Sequence, residues 1–549
     1  MTRQAGTQFW TCHSLNAGHS LLRTLRHATL LIGLGAHCVL LDAQQTGAPQ
    51  YRNPVVPVDY PDPSILRVGR DYWATMTSGD WGPYFPLFRS RDLVNWEQTG
   101  AVFAHRPAWA SGSFWAPEIS QFKGRYFVYY TARKRSGPLA VAVATANSPG
   151  GPYTDHGPLV AQEAGSIDAV PVLNEAGERY LIWKEDGNSR RLPTVLWAQQ
   201  LSEDGLKLMG KPQEILRNQS PWEGDVVEGP FVVRRSDYFY LFYSGSGCCG
   251  SGCSYALGVA RSKSLLGPWE KNPGNPILAE NSDWKCPGHG SIAPFELGRY
   301  FLLYHSYHLT SALATGRQSM LDEVVFGDNG WPSINEGRGP SSQARSPAGT
   351  AQRRATVTFF DDFQDSTLRP GWQWPQDNEP RVALTRSRLG QLVLRPGPEK
   401  ASDVMDGVLA RPAVLPDYQA TTVIDVSSLT RGVFAGIAAY SDANHAMGLA
   451  AGDGNIRLWR REQSEQRTLN DLPAPAGTKL HLRLISQGGR NYSFGVSVDG
   501  RQWKRIGSLA DVEGLPPWQQ AVRVALTVGG AAGAEARFDS IKIEPLLPR

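Results

Sequence analysis

Long apolar runs are scarce in this 549-residue chain: the one candidate, Ala28–Leu41, is too short to cross a bilayer as a helix. Charge is scarce too. Charged residues make up 19% of the chain and the net charge is only +4, with no basic stripe, which excludes the electrostatic footprint of a nucleic-acid binder. No glycine-rich loop of the phosphate-cradling kind occurs. Convincing helical periodicity is nearly absent, which leaves an all-β reading. Only 6 cysteines are present, and Cys12 and Cys38 fall in the N-terminal stretch. The other four, Cys248, Cys249, Cys253 and Cys286, suit disulfides in an exported chain, in any of three pairings. Their CC-x3-C spacing with a distant fourth lacks the pattern of a zinc site, so a stapled loop is expected rather than a metal.

What the chain has in quantity is Gly 57, Pro 39, Trp 17 and Tyr 19, a composition that suits a turn-rich β protein. Residues 1–45 read as an export leader, with Arg23, Arg26 and His27 ahead of the apolar run and a cleavage point near Ala43. His37 before Cys38 argues against a lipoprotein anchor. The mature protein is expected to be soluble and exported, periplasmic or extracellular.

The stretch that organises the rest is Val226–Gly245, VVEGPFVVRRSDYFYLFYSG, which reads as a hairpin with a carboxylate, Glu228, at its start. The pattern recurs at Tyr60–Gly79 with Asp62, Phe114–Arg133 with Glu118, Ser166–Gly187 with Asp168, and Gly288–Tyr307 with His289. Prolines 63, 117, 171, 230 and 294 mark a beat with steps of 54, 54, 59 and 64 residues. Each copy is followed by two more short strands. Four-stranded units repeated radially make a β-propeller, and five repeats make five blades. A stacked solenoid is the structural competitor, but it would line up the polar groups without purpose. In a propeller they converge at one mouth of the central channel.

Glu223 and Asp225 stand just before the fourth hairpin and are read as decoys, because Glu228 holds the repeat position. Asp62 lies between two prolines that stiffen its mount. Three carboxylates from three blades, aimed at one mouth, are costly to gather, since like charges raise one another's pKa. The arrangement is most readily explained by chemistry in which one carboxyl stays protonated as an acid and another works as a base, the requirement of glycoside hydrolysis. Glu228 is expected to be the group whose pKa is raised, by Asp168 and by burial. Separation across the mouth leaves room for a water and favours inversion of configuration.

The motifs YPDPS, FWAPEI, SIDA, VEGPF and GHGS, in this order, resemble glycoside hydrolase family 43, the five-bladed arabinofuranosidases and β-xylosidases. The resemblance implies Asp62 as general base, Glu228 as general acid, and Asp168 as the residue that tunes and orients the acid. It further implies Trp115 in the sugar pocket, Arg317 reaching the substrate, and His289 on the channel axis, where relatives often hold calcium or water. No cofactor is required, and calcium at His289 is the metal to test. The implied substrates are arabinofuranosyl or xylosyl groups on plant cell-wall polysaccharides or oligosaccharides. Rival readings are a non-catalytic sugar-binding propeller and a propeller hydrolase acting on arabinan backbone or galactan.

The propeller is expected over 51–340 and a polar, basic linker over 341–356. Residues 357–549 alternate in short strands without the five-fold period, and read as a β-sandwich of jelly-roll type. By the resemblance this is the concanavalin-like domain found in several subfamilies, where it lends a loop to the pocket. Its VSVDGRQW stretch is read as a hairpin closed by an Asp-Gly turn.

Overall fold

The organising hairpin forms as its pattern dictates: strands Val227–Arg235 and Tyr238–Gly245 pair antiparallel around a tight turn at Ser236 and Asp237. The computed structural model describes residues 49–549 apart from 354–356, 386–389, 398–404, 464, 510–520 and 547–549, so the expected leader lies outside the described residues. Strands Ala256–Ser262 and Glu270–Lys271 complete a four-stranded sheet. Sheets of the same up-and-down order lie within 64–103, 110–160, 166–217 and 284–334. Their first strands touch one another in a closed cycle, which makes the five sheets the blades of a propeller. Second strands such as Tyr238–Gly245 read as continuous apolar runs because neighbouring blades cover both their faces.

The ring closes through the N-terminal segment. Val56 bridges Ser319 in the fifth blade. The Asn53 amide accepts from the Leu321 N–H at 2.9 Å and donates to the Leu321 carbonyl at 2.9 Å. The linker reading needs correction here. Gln343–Arg345 pairs as a strand with Gln50–Arg52, and Gln352 hydrogen-bonds the Arg52 backbone on both sides. Thr350 and the Arg353 N–H reach Asp92 and Asn95 of the first blade. A polar composition predicts a tether only where no backbone edge is waiting, and the strand at the N-terminus offers one.

The second half packs two sheets face to face. One is built on Tyr418–Asp425, Lys479–Gln487 and Ala536–Pro545; the other on Phe434–Asp442, His445–Gly452 and Arg523–Gly529. Inward-facing Leu, Ile and Val side chains of both fill the space between. The hairpin of Asn491–Ser497 and Lys504–Leu509 is present, but its loop is longer than two residues. Asp499 stabilises that loop by accepting from the Arg501 and Gln502 N–H groups at 2.8 Å each. The sandwich meets the propeller by strand pairing: Trp374–Pro375 pairs with Trp81–Gly82. Among the described residues no helix is long and apolar enough to cross a membrane.

Candidate active site

Every blade begins with the same backbone device. Asp62, Ala116, Asp168, Gly229 and His289 have φ of 54°, 45°, 58°, 56° and 39°, in the left-handed region where non-glycine residues are costly. In blades two to five the strand register is interrupted at this point, as in a bulge. The next blade back supplies an acceptor for the amide of the bulged residue. Ala116 donates to Thr77 Oγ1 at 2.7 Å, Asp168 to Thr131 Oγ1 at 3.2 Å, His289 to Ser244 Oγ at 2.8 Å, and Asp62 to His305 Nδ1 at 3.2 Å. The position equivalent to those acceptors in the third blade is Lys184, which pairs with Ile167 and has no acceptor atom. There the Asp168 carboxylate itself takes the Gly229 N–H, at 3.0 Å. This break in the five-fold pattern ties Asp168 to the backbone next to Glu228.

The repeat therefore runs in a different phase from the proline beat. Pro63, Pro117 and Pro230 follow the bulge directly, whereas Ala169 and Gly290 stand there in the third and fifth blades. Glu228 precedes its bulge by one residue, sharing a position with Trp115, and Glu118 follows its bulge by two. Glu118 is thus not an equivalent of Asp62. It is a half-buried carboxyl beside Ser64, pushed up to about 8 by burial with no cation facing it.

Asp62, Asp168 and Glu228 are each more than nine-tenths buried and come together at the mouth. Asp62 Oδ2 accepts from the Thr77 hydroxyl at 2.6 Å; Oδ1 lies 3.1 Å from His305 Nδ1 and 3.5 Å from Arg317 Nη1. Burial pushes the Asp62 carboxyl up, but Arg317 and His289 outweigh it and hold it well below the usual carboxylate range. Burial brings His305 down to about 4, so the ring is neutral at working pH. Asp62 is thus a fixed, ionised carboxylate.

The acid side differs from the sequence expectation. Lys184 Nζ donates to Glu228 Oε2 at 2.6 Å and to Asp186 Oδ1 at 3.1 Å, and the Tyr255 hydroxyl donates to Glu228 Oε1 at 2.8 Å. Burial raises the Glu228 pKa, but Lys184 and Tyr255 outweigh burial and bring it below the usual value. Asp168 is the group that is raised, to about 6, by burial with Glu228 and Asp62 adding to it. The two carboxyls titrate as a pair. Lys184, in contact with Glu228, favours the charged form of Glu228 over that of Asp168. Sequence reasoning missed Lys184, whose signal was a lone cation where the other blades carry Thr, Ser or His.

Tyr255, also missed, stacks on His305 with centroids 5.8 Å apart and planes at 8°, so the supports of acid and base touch. Tyr255 lies on the disulfide Cys253–Cys286, which ties its loop to the fifth blade; Cys248 and Cys249 are bonded to each other. The decoys stay apart from the chemistry. Glu223 is consumed by Lys271, Tyr243 and the backbone of its own turn, and Asp225 is exposed.

Beside Asp62 opens a small cleft lined by Asp59, Thr77, Trp115, Arg317 and, from the sandwich, Arg523. Arg317 Nε is buried without a hydrogen-bond partner, a donor left free on a residue that lines the cleft. His289 Nδ1 lies 3.6 Å from Asp62 Oδ1 and 3.9 Å from Asp168 Oδ2. A Cβ on Gly229 would come within 2.9 Å of the His289 ring, so glycine is required there. Among the described residues no group of three or more His, Cys, Asp or Glu side chains is arranged to hold a metal ion. Of the oxygens nearest His289, Asp62 Oδ1 faces Arg317 and Asp168 Oδ2 takes the Gly229 amide, and one imidazole is a poor calcium ligand.

Buried carboxylates gathered at such electrostatic cost beside a cleft are the apparatus of a glycoside hydrolase. Residues 51–332 match the glycosyl hydrolases family 43, and the chain belongs to that family. Residues 360–518 match the β-xylosidase C-terminal concanavalin A-like domain. The chain is 28% identical over 504 residues to a xylosidase/arabinosidase 43B of Humicola insolens, covering 84% of this chain and 90% of that one. It is 27% identical over 355 residues to an extracellular exo-α-(1→5)-L-arabinofuranosidase of Cellvibrio japonicus, covering 58% of this chain and 95% of that one. The crystal structure of a family 43 protein from Bacillus licheniformis superposes with a TM-score of 0.78 at 25% identity, covering 90% of this chain and all (100%) of that one.

Proposed function

We propose that this glycoside hydrolase removes single terminal arabinofuranosyl or xylosyl groups from plant cell-wall glycans with inversion of configuration. The observation that carries the reading is the contrast between the carboxylates. Asp62 is held ionised by Thr77 and Arg317, while burial raises the carboxyl of Asp168, beside Glu228, to about 6. Asp62 then acts as general base on a water, and Glu228 as the acid that protonates the departing oxygen. Asp168 holds the pair's proton and fixes the Gly229 backbone, so acid catalysis requires that proton to pass to Glu228. Trp115 offers a face for the sugar ring, and Arg317 a donor for its hydroxyls.

Relatives bearing xylosidase and arabinofuranosidase names support a pentose, and the exo-acting one among them supports action on a terminal residue. Export belongs to the same reading: two disulfides suit an oxidising compartment, with residues 1–45 as leader. The test is a panel of aryl α-L-arabinofuranoside, β-D-xyloside and β-D-galactoside, with the first anomer released followed by proton NMR. Turnover of a pentoside with the inverted anomer appearing first is expected. First appearance of the retained anomer would make Asp62 a nucleophile, and absence of turnover on all three would remove the reading.

A further inference from the structure

The sandwich domain reaches the base side of the site through a buried carboxylate. Asp59, 5% exposed, stands three residues before Asp62. Its Oδ1 accepts from the Arg317 N–H at 3.0 Å, and its Oδ2 accepts from the Ala521 N–H of the sandwich at 2.8 Å. Arg523, 2% exposed, places Nη2 3.9 Å from the same Oδ2. Its guanidinium is fixed on every side. It donates to Gln373 Oε1 at 2.7 Å and to the Ala521 carbonyl at 2.8 Å, and stacks over Trp81 at 4.1 Å. Gln373 in turn donates to the Tyr60 hydroxyl at 3.1 Å. Gly316, with φ of 63°, leaves Asp59 the space a side chain would take.

Surface docking needs none of this. A buried, charged, multiply bonded bridge between two domains is costly unless the geometry it fixes matters. What it fixes is the backbone of Arg317, whose side chain contacts Asp62 and lines the cleft with Arg523 itself. We infer that Asp59 and Arg523 are positioning residues through which the sandwich domain sets Arg317 against the base and shapes the sugar cleft. The inference rests on the reading of that cleft as the sugar site. Pentose affinity reads the bridge without requiring turnover, and so separates the two.

The experiment compares Arg523→Met, the milder Arg523→Lys, and Asp59→Asn in the full chain. Asp377→Asn serves as the control, since Asp377 pairs with Arg106 at 2.7 Å across an exposed part of the same interface. Readouts are kcat and KM on the aryl pentoside, Kd for the free pentose by calorimetry, and a crystal structure of Arg523→Lys. Misplacement of a positioned group by about 1 Å costs on the order of 100-fold. A loss of that order in kcat/KM is expected for Arg523→Met, with KM and pentose Kd both raised, and a smaller loss in the same direction for Arg523→Lys. Asp377→Asn should leave both constants at wild-type values. In the crystal, Arg317 should have left its place beside Asp62. A purely structural bridge would lower the folded fraction and leave KM, Kd and the Arg317 position unchanged, and that result would overturn the inference.

Discussion

Lys184→Met isolates the balance that sets the acid. The lysine is 1% exposed and lies 2.6 Å from Glu228, so its removal leaves a buried carboxylate with the Tyr255 hydroxyl and the more distant His289 to stabilise its charge. Breaking one side of a buried ion pair costs about 3–5 kcal/mol, a large share of the roughly 5–15 kcal/mol that holds a domain folded. At about 2–4 °C per kcal/mol for a unit of this size, Tm should fall by roughly 10 °C at pH 8. In the wild type the Glu228 pKa is depressed, so its contribution is present above the unfolded value of about 4.3 and lost as pH falls through the folded value. Without Lys184, burial raises the pKa, and the penalty is present at high pH and relieved as Glu228 takes up a proton. The Tm difference between wild type and variant should therefore narrow steadily from pH 8 to pH 5 in scanning calorimetry. A variant within about 1 kcal/mol of wild type, or a gap independent of pH, would refute the reasoning.

Asp62→Asn should fold normally by circular dichroism and lose about 10²–10⁴-fold or more in kcat, the usual worth of a general base. The kcat/KM profile should fall as pH rises through about 6, where the Asp168–Glu228 pair gives up its proton; a plateau to pH 8 would remove Asp168 as proton holder. Exhaustive chelation should change neither Tm nor kcat, in line with the donor set around His289. Replacing Cys253 and Cys286 together by Ser opens a loop of 33 residues, worth about 3–4 kcal/mol in urea denaturation. It should also reduce kcat by loosening Tyr255 from Glu228.

The hairpins were legible because each is local: a short apolar run, a polar turn and an aromatic run carry the strand period in the sequence itself. The phase of the repeat was not, because Pro171 and Pro294 fall near the bulge without occupying the position after it. Asp62, Asp168 and Glu228 were singled out through their motifs, and the structure places Asp62 and Asp168 about His289, with Asp168 bonded to the backbone next to Glu228. The direction of the Glu228 shift was missed because Lys184 lies 44 residues earlier and faces it only across two blades. Asp59 and Arg523 lie 464 residues apart, and neither stands in a motif. The strands Arg381–Thr385, Gly407–Pro412, His445–Gly452 and Glu465–Pro473 of the sandwich lacked clean alternation and went unread.

The recurring bulge gives the fold five addresses at one reaction centre, related to one another by rotation about the axis. Asp, Ala, Asp, Gly and His occupy them in the same backbone conformation, so the framework accepts the occupant without adjustment. The scaffold and the chemistry are therefore encoded separately. Two addresses, Ala116 and Gly229, carry no ionisable group, and the second is kept empty by the His289 ring against it. A propeller built this way can exchange one reaction for another by point substitution at an address, while the hairpins that hold the ring together go on unchanged.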